Sequence, residues 1–304
     1  MSLEDQASLL LIPTGYKSQK VYSIFPTNGD GDFDFSRPSS ATRIAKNGLI
    51  TTVDSNVPRL EYPLIDGVVN GCPSLLLEPT RSNYLHPSNN FSSWTLGGTV
   101  TRTANYGISP DGSQNSTRAV FANGGIIYRS PNRPQGSYVF SVFAKNIEGG
   151  GSEISLRIDV PTPRIAIFDL SNGTIVSNTS DDAKIEYYGN GWYRCILIEN
   201  NEQVINTIIG EGTTELDCEL FGAMLEEGSH ITSYIPTNGE SGGVTRLAET
   251  CNGAGNAATF NDSEGVLYAN IEFLTLSNTY NDFFGLNNGS NSQRLLIERN
   301  TNVL

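Results

Sequence analysis

Charge is scarce in this sequence, and so are long apolar runs. Of 304 residues only 17% are charged and 38% apolar, against a usual share of about 25% and 45–50% in globular chains. Lysine and arginine number 19 against 32 Asp and Glu, a net charge of −13. Phosphate binding needs clustered cations, so nucleic acid and anionic membrane surfaces are poor partners. No apolar run approaches the roughly 18 residues of a membrane span, and no membrane insertion is expected. The start, Met1-Ser2-Leu3-Glu4-Asp5, is acidic where an export signal needs positive charge, and the run Leu9–Ile12 stops at Pro13. The expectation is a chain made and folded in a cytoplasm and not exported by that route. The four cysteines (Cys72, Cys195, Cys218, Cys251) are widely spaced and form no C-x-x-C pair. That spacing disfavours structural zinc and a disulfide framework, and buried thiols are expected.

Catalytic patterns are equally thin. The two histidines, His86 and His230, lie in no H-E-x-x-H or nucleophile context. Gly253–Ala258 matches G-x-G-x-x-A but has no strand before it and no helix after it. The carboxylate pairs Asp181-Asp182 and Glu226-Glu227 are adjacent, and neighbours on a strand point to opposite faces. No enzymatic activity is expected of this segment. Asp30, Asp32 and Asp34 alternate as in a calcium loop, but Phe35 stands where that loop needs glycine. A tight turn leading into a Phe33/Phe35 strand face is the simpler reading.

What is present is Asn, Ser, Thr, 31 Gly and 14 Pro, set between many short runs of Val, Ile, Leu and Phe. This pattern predicts an all-β chain. Residues 1–85 read as an extended β-rich segment with strands near 8–12 and 21–25 and a hairpin at Asn47-Gly48. The segment is too thin in apolar residues for a core of its own, so it should lean on a neighbouring domain or chain. Residues 86–236 carry strands at about ten-residue intervals, as in a jelly-roll sandwich. Ile154 to Val160 alternates cleanly, and Tyr138–Ala144 reads as a central strand. Residues 237–258 read as a linker. Residues 259–304, with runs at 265–276, 283–286 and 294–298, read as the start of a second, incomplete sandwich.

Two groups of motifs resemble bacteriophage tail-fibre and appendage proteins. One runs Gly31–Arg37, Ser39–Arg43, Asn47–Ile50, Val57–Tyr62 and Cys72–Pro79, similar to the N-terminal module of those proteins. The other runs Asn90–Trp94, Tyr138–Lys145, Gly189–Cys195, Gly222–Gly228 and Thr232–Thr237, similar to the carbohydrate-binding-module-like jelly roll that follows it. In such proteins a concanavalin A-like (laminin-G-like) sandwich often comes next, and residues 259–304 look like its beginning.

The resemblance implies a virion structural protein, a tail fibre or spike. It would dock to tail, baseplate or collar proteins through residues 1–60, assemble as a homotrimer, and present β-sandwich modules to a host cell-surface glycan. The alternatives are a depolymerase with catalysis outside this segment, and a head or collar fibre or spacer without ligand. Candidate glycan-stacking aromatics lie outside the shared motifs: Tyr106, Tyr128 and Tyr187. Trp192 reads as a core anchor. No cofactor is expected beyond a structural calcium of the kind such jelly rolls often hold, for which Asn90, Asp217 and Glu219 offer oxygen ligands. With so acidic a surface, a neutral glycan is the expected ligand.

Overall fold

The computed structural model describes residues 4–159, 162–240, 242–260, 263–272, 283–287 and 294–298. Among them there is no α-helix, only two short 3-10 turns at Glu4–Gln6 and Phe91–Ser93, and the chain is all-β. The N-terminal segment contributes β1 (Tyr16–Lys17), β2 (Lys20–Val21), β3 (Phe33–Ser36), β4 (Ala41–Ile44), β5 (Ile50–Val53), β6 (Arg59–Glu61), β7 (Leu64–Ile65), β8 (Val68–Val69), β9 (Ser74–Leu76) and β10 (Arg81–Asn83). The sandwich is built from β11 (Thr95–Thr103), β12 (Thr117–Arg129), β13 (Arg133–Asn146), β14 (Glu153–Asp159), β15 (Arg164–Asp169), β16 (Thr174–Asn178), β17 (Asp182–Gly189), β18 (Trp192–Val204), β19 (Asn206–Glu211) and β20 (Leu216–Glu227). Then come β21 (Val244–Arg246), β22 (Thr250–Asn252), β23 (Phe283–Asn287) and β24 (Arg294–Glu298).

Ten strands make one sheet, in the order β16-β15-β14-β19-β12-β20-β13-β18-β17, with β11 alongside β12. It becomes a jelly-roll sandwich because β12 serves both layers. Its first half, Thr117–Phe121, pairs with β20, and its second half, Ile126–Arg129, pairs with β19. Between them Asn123 and Gly124 take positive φ, 53° and 76°, which bends the strand from one layer to the other. The interior is lined from both sides: Ile154, Leu156, Ile158 and Phe168 from one layer, and Phe140, Val142, Cys195 and Leu197 from the other. The alternation of β14 reports a strand buried on one face only.

Strands β13, β18 and β20 are different, being buried on both faces. Their outer face carries Phe143, Trp192, Phe221 and Met224, and this face is covered by Ile44 and Ile50 of the β4–β5 hairpin with Tyr234 and Ile235. Phase is adjusted at Gly222, whose φ of 61° accompanies a register shift between Phe221 and Met224. A Cβ there would press on the Phe143 ring at 2.9 Å. The N-terminal segment therefore leans on the sandwich of its own chain. The Asn47-Gly48 hairpin forms in the expected place, with Ile44 opposite Ile50 and Gly48 at φ 78°.

Several expectations change. The strands expected near 8–12 and 21–25 reduce to the single bridge Leu10–Phe25 beside the two-residue β2. Residues 237–258 are not a linker: β21 pairs with β10, and β22 adds to β3 in a four-stranded sheet with β1 and β2. The short strands escape notice because three residues carry no periodicity. Cys195 and Cys218 are buried and Cys251 is half-buried, but Cys72 is exposed on the β8–β9 loop. In the last part β23 and β24 pair as a hairpin, as their apolar runs suggest. Residues 263–272 form no strand and leave Val266 83% and Tyr268 76% exposed, while 273–276 lie outside the described residues.

The two halves are joined by a buried ionic network. Glu249 accepts from Arg37 at 2.9 Å and from Arg59 at 2.5 and 2.6 Å. Glu78 lies 2.8 Å from Arg59 and 2.9 Å from Arg246, and also accepts from the Ser233 N–H and hydroxyl. All five side chains are 0–2% exposed. They come from β6, β21 and the loops after β3, β9 and β21, so the network forms only when those segments meet. Burial would raise the Glu78 carboxyl, but Arg246 and Arg59 hold it down at about 2.

Candidate functional site

A cleft of about 430 Å³ opens where the N-terminal segment meets the edge strand β17. This is within the usual size of small-ligand sites, about 300–1,000 Å³. One wall is Glu61 and Tyr62 at the end of β6 together with the β7–β8 hairpin, whose turn carries Asp66. The other wall is Glu186, Tyr187 and Tyr188 on β17.

Local backbone chemistry fixes both walls. The hairpin turns at Asp66 and Gly67, both at positive φ, 51° and 72°. Gly67 lies against the backbone of Gly189, and the space between them admits no Cβ on either residue. Opposite, β17 shifts register against β18 between Tyr187 and Gly189. The Tyr187 ring packs on Tyr193, centroids 4.9 Å apart and tilted 40°, and its hydroxyl accepts from the Gly191 N–H at 3.2 Å. Tyr187 remains 38% exposed, so it is an aromatic surface held rigid by its neighbours and still open to solvent. Tyr188 turns the other way, edge-on to Phe143 at 4.9 Å, and burial pushes its phenol up to about 12.

Glu61 anchors its wall to the hairpin. Its Oε2 accepts from the Ile44 N–H at 2.7 Å. Burial pushes its carboxyl up to about 7, against the downward pull of that N–H, Arg59 and Arg43. Arg59 is spent on Glu249, Glu78 and the Thr42 carbonyl, and Arg43 reaches the Leu60 carbonyl and the Tyr16 hydroxyl.

Of the aromatic candidates only Tyr187 lines this cleft. Tyr106 precedes β12, is 40% exposed, and has the Arg118 guanidinium over its ring at 5.3 Å. Tyr128 sits half-buried within β12, between Thr95 and Ile208. The three tyrosines thus occupy three separate places. Trp192 is 2% exposed, packs in the outer-face core and donates to the Ile108 carbonyl at 3.1 Å, as a core anchor does.

The candidate calcium ligands are each engaged by protein groups. Asn90 caps the 91–93 turn by accepting from the Ser92 N–H at 3.0 Å. Asp217 holds Arg118 through two hydrogen bonds of 2.6 and 2.9 Å. Glu219 accepts from the Ser116 hydroxyl at 2.6 Å and lies 3.5 Å from Lys145. Among the described residues no cluster of three His, Cys, Asp or Glu side chains is placed to hold a metal. The sequence reading did not pick out Glu61, Tyr62, Asp66 or Glu186. The two walls are more than a hundred residues apart, and the only local signals were the Asp66-Gly67 and Gly189-Asn190-Gly191 turns.

No family model matches the sequence, and no curated protein matches it. Solved structures show a likeness, among them the following three. The carbohydrate-binding module TmCBM61, in complex with β-1,4-galactotriose, is 14% identical over 48% of this chain and 99% of that chain, with a TM-score of 0.32. The CBM22-1–GH10 modules of a Clostridium thermocellum xylanase, complexed with xylohexaose, are 15% identical over 52% of this chain and 30% of that chain, at 0.30. The enzymatically active domain of bacteriophage CBA120 tailspike protein 4 is 17% identical over 47% of this chain and 21% of that chain, at 0.28. Likenesses of this size carry neither ligand nor assembly from those proteins to this one.

Proposed function

We propose that the chain is a structural component of a phage virion, a tail fibre or spike whose sandwich recognises a host-surface glycan. On this reading it is a binding protein without catalysis of its own, it resides on the particle, and it works as a homotrimer. The motif resemblance supports the virion reading. The observation that supports glycan recognition is the cleft beside β17, where the open, braced ring of Tyr187 stands among acidic side chains. A sugar presents one face of C–H groups to such a ring and its hydroxyls to such acceptors. The N-terminal segment spends its 44–50 hairpin on the sandwich. It leaves Ile12, Tyr22, Ile24 and Phe25 about 40% exposed, and these apolar side chains suit a docking role on the particle.

Single-site affinity should be modest, about millimolar or −4 kcal/mol, with firm adhesion supplied by several copies acting at high effective concentration. The test is adsorption. Particles carrying Tyr187→Ala, in a variant whose melting curve is unchanged, should lose about tenfold in single-site affinity, about 1.4 kcal/mol, and at least that much in cell adsorption. Unchanged adsorption would leave the sandwich as a spacer.

A further inference from the structure

The cleft beside β17 has a one-sided charge. Three of its lining residues are acidic, Glu61, Asp66 and Glu186, and none is lysine or arginine. The nearby cations are occupied elsewhere. Arg59 and Arg43 are bonded away from the cleft as described above. Arg194, opposite Glu186 in the β17–β18 register, is 3% exposed and donates to the Thr232 carbonyl and the Ser141 hydroxyl. Lys184, two residues before Glu186, lies 3.9 Å from Asp182.

An anionic sugar entering here would meet like charge, and a wholly neutral one would leave the Asp66 and Glu186 charges without an ion-pair partner. An ammonium group answers both, because carboxylates accept from it and tyrosine faces attract it. We propose that the cleft binds a glycan through a hexosamine residue carrying a free amino group, its ring on Tyr187 and its ammonium toward Asp66 and Glu186. This rests on the glycan reading above and narrows the ligand from a neutral sugar to an aminosugar.

The test is a calorimetric titration of the full chain with a glucosamine tetramer and with the matching N-acetylglucosamine tetramer. It is run at about pH 6, where an amine of pKa near 8 is charged. The expected result is about tenfold tighter binding of the free-amine tetramer. That gap should close in Asp66→Asn/Glu186→Gln and persist in the control Glu148→Gln/Glu215→Gln, which removes two exposed carboxylates outside the cleft. The control separates recognition from general attraction to an acidic protein. Equal or tighter binding of the acetylated tetramer, abolished by Tyr187→Ala, would overturn the amine assignment and leave glycan binding in the cleft intact. A gap unchanged in Asp66→Asn/Glu186→Gln, or lost in the control, would also overturn it. Binding of neither tetramer would overturn it as well, and together with unchanged adsorption of Tyr187→Ala particles would remove the glycan reading too.

Discussion

Asn83 shows how much one polar side chain does in this molecule. It is fully buried, donates to the Ala223 and Ile235 carbonyls, and accepts from the Leu85 and Leu225 N–H groups. It thereby joins β10 to β20 and to the segment after it. Asn83→Ala would leave two carbonyls and two amides unpaired, and a loss of about 2–4 kcal/mol in urea unfolding is expected. Glu78 makes a second case. Its carboxyl stands near 2 in the folded chain against an ordinary 4.5. A depressed carboxyl stabilises the fold above its ordinary value, and the benefit fades as pH falls from about 4.5 toward 2, in total on the order of 3 kcal/mol. The melting temperature should drop across that window, and less steeply in Glu78→Gln. Glu61 has the opposite sign. Its carboxyl is raised to about 7 from an ordinary 4.5, so the folded form favours the proton, and stability falls as pH rises from about 4.5 to 7 and then levels off. Glu61→Gln should flatten the melting temperature between about pH 5 and 7, and an unchanged slope would contradict the assigned burial.

At the scale of elements, the three-residue strands β21 and β22 act as a clasp. They carry Arg246 into place and set Glu249 between Arg37 and Arg59. Such networks add little net stability, yet removing one partner strands the others in a dry interior. Glu249→Gln should cost about 3–5 kcal/mol in chemical unfolding. It should also expose residues 33–83 to protease before the sandwich, and uniform protection would argue against a clasp. The elements differ in how far they could be read from sequence. β14 was legible because one buried face imposes a period of two, and the 44–50 hairpin because Asn-Gly suits a tight turn. In β18 and β20 burial on both faces erases the alternation that would show which side each residue takes. The clasp was not legible, since Arg and Glu read as surface residues when each lacks a visible partner. The cleft was not legible either, because Glu61 and Tyr187 meet only through the close passage of Gly67 by Gly189.

The whole molecule is a sandwich whose outer face is wrapped by its own N-terminal segment, so residues 86–236 alone should fold poorly with Phe143, Trp192 and Met224 uncovered. The proposed trimer would use surface outside that wrapped face, and light scattering at micromolar concentration should give three times the mass of the 304-residue chain. The most direct test of the functional account is a titration of the soluble chain with purified host surface polysaccharide, comparing Tyr187→Ala with Tyr106→Ala and Tyr128→Ala, each with its fold verified. The expected result is binding lost in Tyr187→Ala and retained in the other two, because only Tyr187 opens onto the cleft. Binding retained in Tyr187→Ala, or lost only in Tyr106→Ala or Tyr128→Ala, would contradict a glycan site beside β17.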